Sequence, residues 1–222
     1  MSGDSPEAGY RTRIIDVRLA GDDYRIRALA DRQQYADPDG LAELAGISSA
    51  QWCLFGQIWP AGRVLAAAMV GFDVDGKRIL EIGCGLGLSS LVLQRRRADI
   101  TASDHHPLAE RFLRGNAVRN GLPIVTYRDL PWLTADIALG RFDLIIGSDV
   151  LYEHRHVAQL AALLQRHAHD GAEIMIADPG RGFGNPLSHA LRSQNYRVDE
   201  ARCAFEDGDR APYRGRLLHY RR

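Results

Sequence analysis

The chain has 222 residues, of which 45% are apolar and 25% charged, and its 28 basic side chains balance 28 acidic ones for a formal charge of zero. A chain of this length buries about 70% of the surface its unfolded form exposes, enough for one hydrophobic core without disulfide or metal staples. Collagen-like, disordered and mini-protein classes are thereby excluded.

No apolar run approaches the roughly 20 residues of a membrane span, and residues 1–10 are polar without the apolar stretch of a signal peptide. The expectation is a cytoplasmic protein with no membrane partner. Cys53, Cys84 and Cys203 are odd in number and far apart, which reads as reduced thiols and not as a zinc or redox site. Zero net charge argues against broad adhesion to nucleic acid. Lys77 is the only lysine, so nearly all positive charge is arginine.

Residues 1–10 combine Gly, Ser, Asp, Pro and Glu with little to bury and are expected to form a disordered tail. Ile15, Val17 and Leu19 alternate, and after Gly21-Asp22-Asp23 the alternation resumes at Tyr24, Ile26 and Ala28. That pattern predicts a β-hairpin. An Asp37-Pro38-Asp39-Gly40 turn and a short helical patch over 41–44, ended by Gly46, complete an N-terminal extension over residues 11–50.

From Val74 a short apolar strand, a loop and an amphipathic helix recur. Strands are expected at 78–82, 99–103, 124–127, 142–147 and 173–177, and helices at 88–96, 107–120 and 157–169. Such alternation implies an α/β fold with a parallel sheet covered on both faces. Residues 196–205 and 214–220 are two strand-like runs separated by a stretch too short for a crossover helix, so a C-terminal antiparallel hairpin is expected. Residues 51–222 then form one domain.

The strongest local signal is Ile79-Leu80-Glu81-Ile82-Gly83-Cys84-Gly85-Leu86-Gly87, an apolar strand running into three alternate glycines before a helix. Such a loop lets a ligand lie against bare backbone and aims the positive end of the helix at it. The spacing is Gly-x-Gly-x-Gly, whereas a dinucleotide fingerprint needs Gly-x-Gly-x-x-Gly, so a nicotinamide oxidoreductase is disfavoured. Asp104 ends the next strand 21 residues beyond Gly83, near the offset at which an acid reaches a ribose diol. An aspartate there also suits the cap of a following helix.

Glu81-Ile82-Gly83-Cys84-Gly85-Leu86-Gly87, Asp104 and Gly147-Ser148-Asp149-Val150-Leu151-Tyr152 resemble the class I S-adenosylmethionine-dependent methyltransferases, and within them methyltransferase family 16. Ile58-Trp59-Pro60-Ala61-Gly62 and Asp178-Pro179-Gly180-Arg181 are similar to the branch holding the electron-transfer-flavoprotein β-subunit lysine methyltransferase. The resemblance covers about residues 52–196. It implies a Rossmann-like, seven-stranded, mostly parallel sheet closed by a reversed hairpin, with S-adenosylmethionine as cofactor and a protein lysine as methyl acceptor.

Carried onto this chain, the resemblance implies that Gly83, Gly85 and Gly87 line the methionine part of the cofactor, with Glu81 holding the loop. Asp104 would bind the ribose and Asp129 would face the adenine amino group. Trp59, Trp132 and Ser148 match residues beside the cofactor. Asp149 and Tyr152 are the catalytic candidates: Asp149 orients and neutralises the acceptor amine, and Tyr152 walls its side chain and faces a cation with its ring. Arg181 either receives an acidic group of the substrate or covers surface. Cys84 is given no chemistry, and no metal is expected, because the histidine clusters lack ligand spacing. The alternatives are a small-amine or RNA methyltransferase and a cofactor-binding module without turnover. Ser148-Asp149-Val150-Leu151-Tyr152 stands where amide and nucleobase enzymes often place Asn-Pro-Pro-Tyr. Histidine as acceptor stays open.

Overall fold

The computed structural model describes residues 10–31, 33, 34, 37, 39–133, 139–205 and 212–222. Residues 1–9 of the expected tail, Pro38 of the expected turn, and residues 206–211 between the last two strand-like runs lie outside them.

A hairpin of β1 (Thr12–Leu19) and β2 (Asp22–Leu29) opens the fold. The short helices α1 (Leu41–Leu44) and α2 (Ser49–Trp52) and the longer α3 (Pro60–Gly71) follow. Then come β3 (Arg78–Ile82), α4 (Leu88–Arg95), β4 (Asp99–Asp104), α5 (Ala109–Arg119), β5 (Thr126–Asp129) and β6 (Phe142–Ser148). The chain ends with α6 (His154–His167), β7 (Ala168–Asp178), α7 (Gly184–Arg192), β8 (Arg197–Phe205) and β9 (Tyr213–Arg221).

β3 to β9 form one seven-stranded sheet in the order β5-β4-β3-β6-β7-β9-β8. β3 pairs in parallel with β4 and β6, β4 with β5, and β6 with β7; β9 runs antiparallel to both β7 and β8. The α/β fold, the mostly parallel sheet and both hairpins are therefore as expected. The chain winds outward from β3 to β5 and then returns to β6 on the other side of β3. The carboxyl ends of β3 and β6 thus flank a topological switch point, where open α/β sheets bind ligands.

One core cluster on the first face joins Ile79, Leu144 and Ile146 to Leu65 and Met69 of α3, Leu91 of α4 and Phe112 of α5. Val17, Tyr24, Ile26 and Leu29 of the hairpin belong to that same cluster, so the extension shares the domain's core. The second cluster packs Leu80, Ile82 and Ile145 under Leu160 and Leu164 of α6 and Leu187 and Leu191 of α7. The central strand is apolar on both faces because helices cover both.

Several elements differ from the sequence reading. α2, α3 and α7 were not anticipated. α2 starts on a capping box in which Ser48 and Gln51 bond reciprocally. α3 starts on Pro60, whose fixed φ suits a first helical turn, and buries Ala61, Leu65, Ala66 and Met69 along one stripe. α7 buries Leu187, Ser188 and Leu191 at helical spacing despite a Gly-Asn-Pro start that reads as loop. β5 sits two residues later than expected because its register is set by β4, with Asp104 opposite Asp129. α6 starts and ends earlier than expected, because Ala168 already pairs with Phe142 as the first residue of β7.

Candidate cofactor and acceptor site

The loop after β3 turns through Gly83, Gly85 and Gly87, all with positive φ of 60°, 53° and 83°. A side chain at these angles is strained, which explains glycine at alternate positions. The three differ in what a side chain would meet. A Cβ on Gly87 would collide with Leu113 of α5, and one on Gly83 would come within 2.8 Å of Val150 Cγ1, whereas one on Gly85 would meet nothing within 4 Å. Gly85 is therefore the bare point of the loop. It opens onto a cavity whose lining includes Trp59, Glu81, Gly83, Gly85, Gly87 and Ser148.

Glu81 reaches this cavity from the interior of β3 and is only 2% exposed. Its carboxylate accepts a hydrogen bond from Ser90 Oγ in the first turn of α4. Burial pushes its pKa up to about 7, against the opposing bonds from Ser90 and Ser89. Cys84 turns its backbone toward β4, donating N–H to Ser103 O at 2.9 Å, and burial holds its thiol protonated well above the usual range.

Asp104 at the end of β4 accepts the Gly85 N–H on Oδ2 at 2.8 Å and the N–H groups of His105 and His106 on Oδ1 at 2.7 and 2.9 Å. The acid thus clips the glycine loop to the turn that follows β4. Desolvation raises its pKa, the three backbone donors working against it. Asp129 stands opposite Asp104 in the parallel register, exposed, with Oδ1 3.7 Å from His105 Nδ1. It does not line the cavity. The His105 ring reaches Ala45 O at 2.6 Å, which holds the end of α1 against the same edge.

Across the switch point, β6 ends at Ser148. Gly62 in the first turn of α3 packs here, since a Cβ on it would stand 3.5 Å from Ser148 Oγ. Asp149 follows with φ 52° and donates its N–H to Ala177 O at 2.9 Å. Its carboxylate receives Arg181 through Nε on Oδ1 and an Nη on Oδ2, both at 2.8 Å. Arg181 is thus held on Asp149, with its side chain 44% exposed. Tyr152 is 39% exposed and meets His156 edge to face at 4.3 Å; desolvation raises its pKa. Trp132 also meets His156 edge to face, at 5.5 Å, and packs against the second core cluster, not into the cavity.

The sequence reading assigned no role to His156, the buried ring against which both Trp132 and Tyr152 rest. It also overlooked Gln51, whose Nε2 donates to Glu153 Oε1 at 3.1 Å and so brings α2 across to the loop after β6. Gln57, Ile58 and Gly62 line the cavity as well, and the Ile-Trp-Pro-Ala-Gly segment was the signal for the last two. Among the described residues no group of three or more His, Cys, Asp or Glu side chains is placed to hold a metal ion. No described helix is long and apolar enough to cross a membrane.

Solved structures share this architecture. Magnesium protoporphyrin IX methyltransferase from Synechocystis PCC 6803, solved with bound S-adenosylmethionine, is 19% identical with a TM-score of 0.57 over 75% of this chain and 86% of its own. The T. thermophilus 16S rRNA N2 G1207 methyltransferase is 17% identical with a TM-score of 0.60 over 99% of this chain and 53% of its own. At such identities the likeness defines the fold, that of the seven-strand methyltransferases.

The lysine methyltransferase family matches residues 49–182, and the chain belongs to that family. That family falls within the class I S-adenosylmethionine-dependent methyltransferases. Protein N-lysine methyltransferase METTL21A of Danio rerio is 31% identical over 128 residues, 54% of this chain and 57% of its own. The electron transfer flavoprotein beta subunit lysine methyltransferase of Xenopus laevis is 27% identical over 138 residues, 59% and 52% of the two chains. The chain thus matches about half the length of these relatives.

Proposed function

We propose that the protein transfers the methyl group of S-adenosylmethionine to the side-chain amine of a protein lysine. The observation that carries this reading is the placement of Asp149 and Tyr152 at the carboxyl end of β6, next to the glycine loop across a single switch point. The family match and the lysine methyltransferases among the relatives support it.

The residues fit the cofactor. Gly85 leaves backbone bare toward the cavity, Trp59 and Ser148 border it, and Asp104 retains carboxylate lone pairs beyond its three backbone donors. Gly83, Gly85 and Gly87 would hold the methionine part, Trp59 and Ser148 would stand beside the cofactor, Glu81 would hold the loop, and Asp104 the ribose. Asp129 and Trp132 do not line this cavity. When bound, the cofactor supplies an electrophilic methyl group on a sulfonium.

The chain then has to align the acceptor's lone pair and exclude water from it. A lysine ammonium, with an ordinary pKa of about 10.4, must give up a proton before it can attack. Asp149 is the acceptor that orients it and Tyr152 the wall beside it. The Tyr152 phenol is neutral at its ordinary pKa of about 10 and desolvation raises that further, so its ring and hydroxyl contribute contact and not charge. The three unpaired cysteines support a cytoplasmic site of action. We read residues 51–222 as the methyltransferase domain and 11–50 as its N-terminal extension.

The test is incubation with methyl-labelled S-adenosylmethionine and the source organism's lysate proteins, followed by total hydrolysis and amino-acid analysis. Label in methyllysine is the expected result. Label in methylhistidine would instead establish the reading favoured by a relative from Dictyostelium discoideum, named a histidine protein methyltransferase homolog and 29% identical over 117 residues. Label in RNA or small molecules alone would overturn protein methylation.

A further inference from the structure

Asn116 on α5 is completely buried, a primary amide set among Phe112, Leu113 and Ala117. A buried amide must satisfy its acceptor and both donors, and the partners it takes show what it joins. Oδ1 accepts the Arg27 N–H at 2.7 Å, while Nδ2 donates to Arg27 O at 3.3 Å and to Leu86 O at 3.1 Å. The side chain thus pairs with β2 as a neighbouring strand would. Its remaining proton goes to the carbonyl between Gly85 and Gly87.

One helical turn later Asn120 makes the same strand-like pair with Arg25, accepting its N–H at 2.8 Å and donating to its carbonyl at 3.0 Å. Its further bond goes back to Asn116 O, in its own helix, and not to the loop. The hairpin therefore grips α5 at two alternate residues of β2. Of these two grips, the one at Arg27 continues into the glycine loop. Leu113, one turn before Ala117 on the same helix, fills the space above Gly87, so α5 bears on the loop at two points.

We propose that Asn116 is a positioning residue that couples the docking of the N-terminal hairpin to the occupation of the glycine loop. The inference rests on the loop being the S-adenosylmethionine site. A ligand that orders the loop tightens the hairpin, and by thermodynamic reciprocity a well-docked hairpin tightens the ligand. The extension is then part of the cofactor site's energetics.

The experiment uses the full chain and S-adenosylhomocysteine as probe, with calorimetry for affinity and amide hydrogen exchange for position. In the wild type, the ligand should slow exchange at residues 83–88 and also at the Arg27 amide. Asn116→Ala should weaken binding about tenfold, within the usual range of such couplings, and confine the slowing to the loop. Asn120→Ala loosens the hairpin while sparing the bond to Leu86, so its binding should stay within about threefold of wild type and the slowing at Arg27 should persist.

Equal losses of affinity in the two variants would overturn the inference, because any loosening of the hairpin would then serve. Loop protection in the wild type without a change at Arg27 would also overturn it, and needs no variant to fold. Absence of binding to the wild type would overturn the cofactor site and the coupling together.

Discussion

Arg181 lies bidentate on Asp149, with both N···O distances at 2.8 Å, while the Asp149 side chain is 10% exposed and that of Arg181 44%. A buried carboxylate on a residue with φ 52° is thus neutralised by a cation that stands half in solvent. Gly180 and Gly182, with φ of 88° and 96°, flank the arginine. Under the proposed function, an acceptor amine would meet an acid whose two oxygens already carry a fork of donors, and would have to share or displace that fork.

Asp149→Asn keeps a residue that tolerates the left-handed backbone and removes the charge. Turnover should fall on the order of 10²-fold, while the affinity for S-adenosylhomocysteine stays within about threefold. Initial rates and calorimetry on the same preparation measure both. Loss of ligand binding would show that Asp149 serves the cofactor instead of the acceptor.

Arg181→Ala leaves the Asp149 carboxylate to the acceptor. The KM for a methylatable protein should fall several-fold with ligand affinity unchanged, at the cost of about 1 kcal/mol of stability for the lost pair. A rise in KM would mean that Arg181 itself receives the substrate.

Gly85 and Gly87 separate binding from folding. Gly85→Ala adds a Cβ into open space at φ 53°, so it should cost only about 1–2 kcal/mol of backbone strain while weakening S-adenosylhomocysteine at least tenfold. Gly87→Ala drives a methyl into Leu113 and should lower the melting temperature further than Gly85→Ala does. Calorimetric titration beside thermal melts compares the two.

Glu81 and His106 give opposing pH dependences. Burial raises the Glu81 carboxyl from an ordinary 4.5 to about 7, so on raising the pH the unfolded chain loses this proton first. Stability therefore declines between about pH 4.5 and 7 and stays low above. Glu81→Gln removes that slope and should be the more stable protein above pH 7, by no more than about 3 kcal/mol.

The His106 ring is stacked on Phe55 at 4.1 Å and lies 4.5 Å from Trp52; burial lowers its pKa from 6.5 to about 3. The contribution of its neutral form is present above pH 6.5 and is lost as the pH falls toward 3. His106→Phe keeps the stacking and gives up the bond from Leu108 N to Nδ1. It should lose about 1 kcal/mol at neutral pH and show a shallower acid limb in denaturant titrations.

What could be read along the chain was what neighbouring residues impose on one another. The alternation of Ile15, Val17 and Leu19, the apolar run of β3 and the three glycines after it are local patterns, and they placed the hairpin, the central strand and the glycine loop. Asp104 was found by its offset from Gly83, which a strand-helix-strand unit of ordinary length sets. α3 was equally local, carrying Pro60 at its first turn and a buried stripe behind it, and was overlooked.

Tertiary structure alone decided which groups share a bond. Asp149 and Arg181 are 32 residues apart, Gln51 and Glu153 102, and Arg27 and Asn116 89. No periodicity links such pairs. They meet because a parallel sheet gathers its carboxyl ends on one edge, and because the hairpin buries its apolar side on α5. A buried amide then has to take the partners that this packing brings within reach.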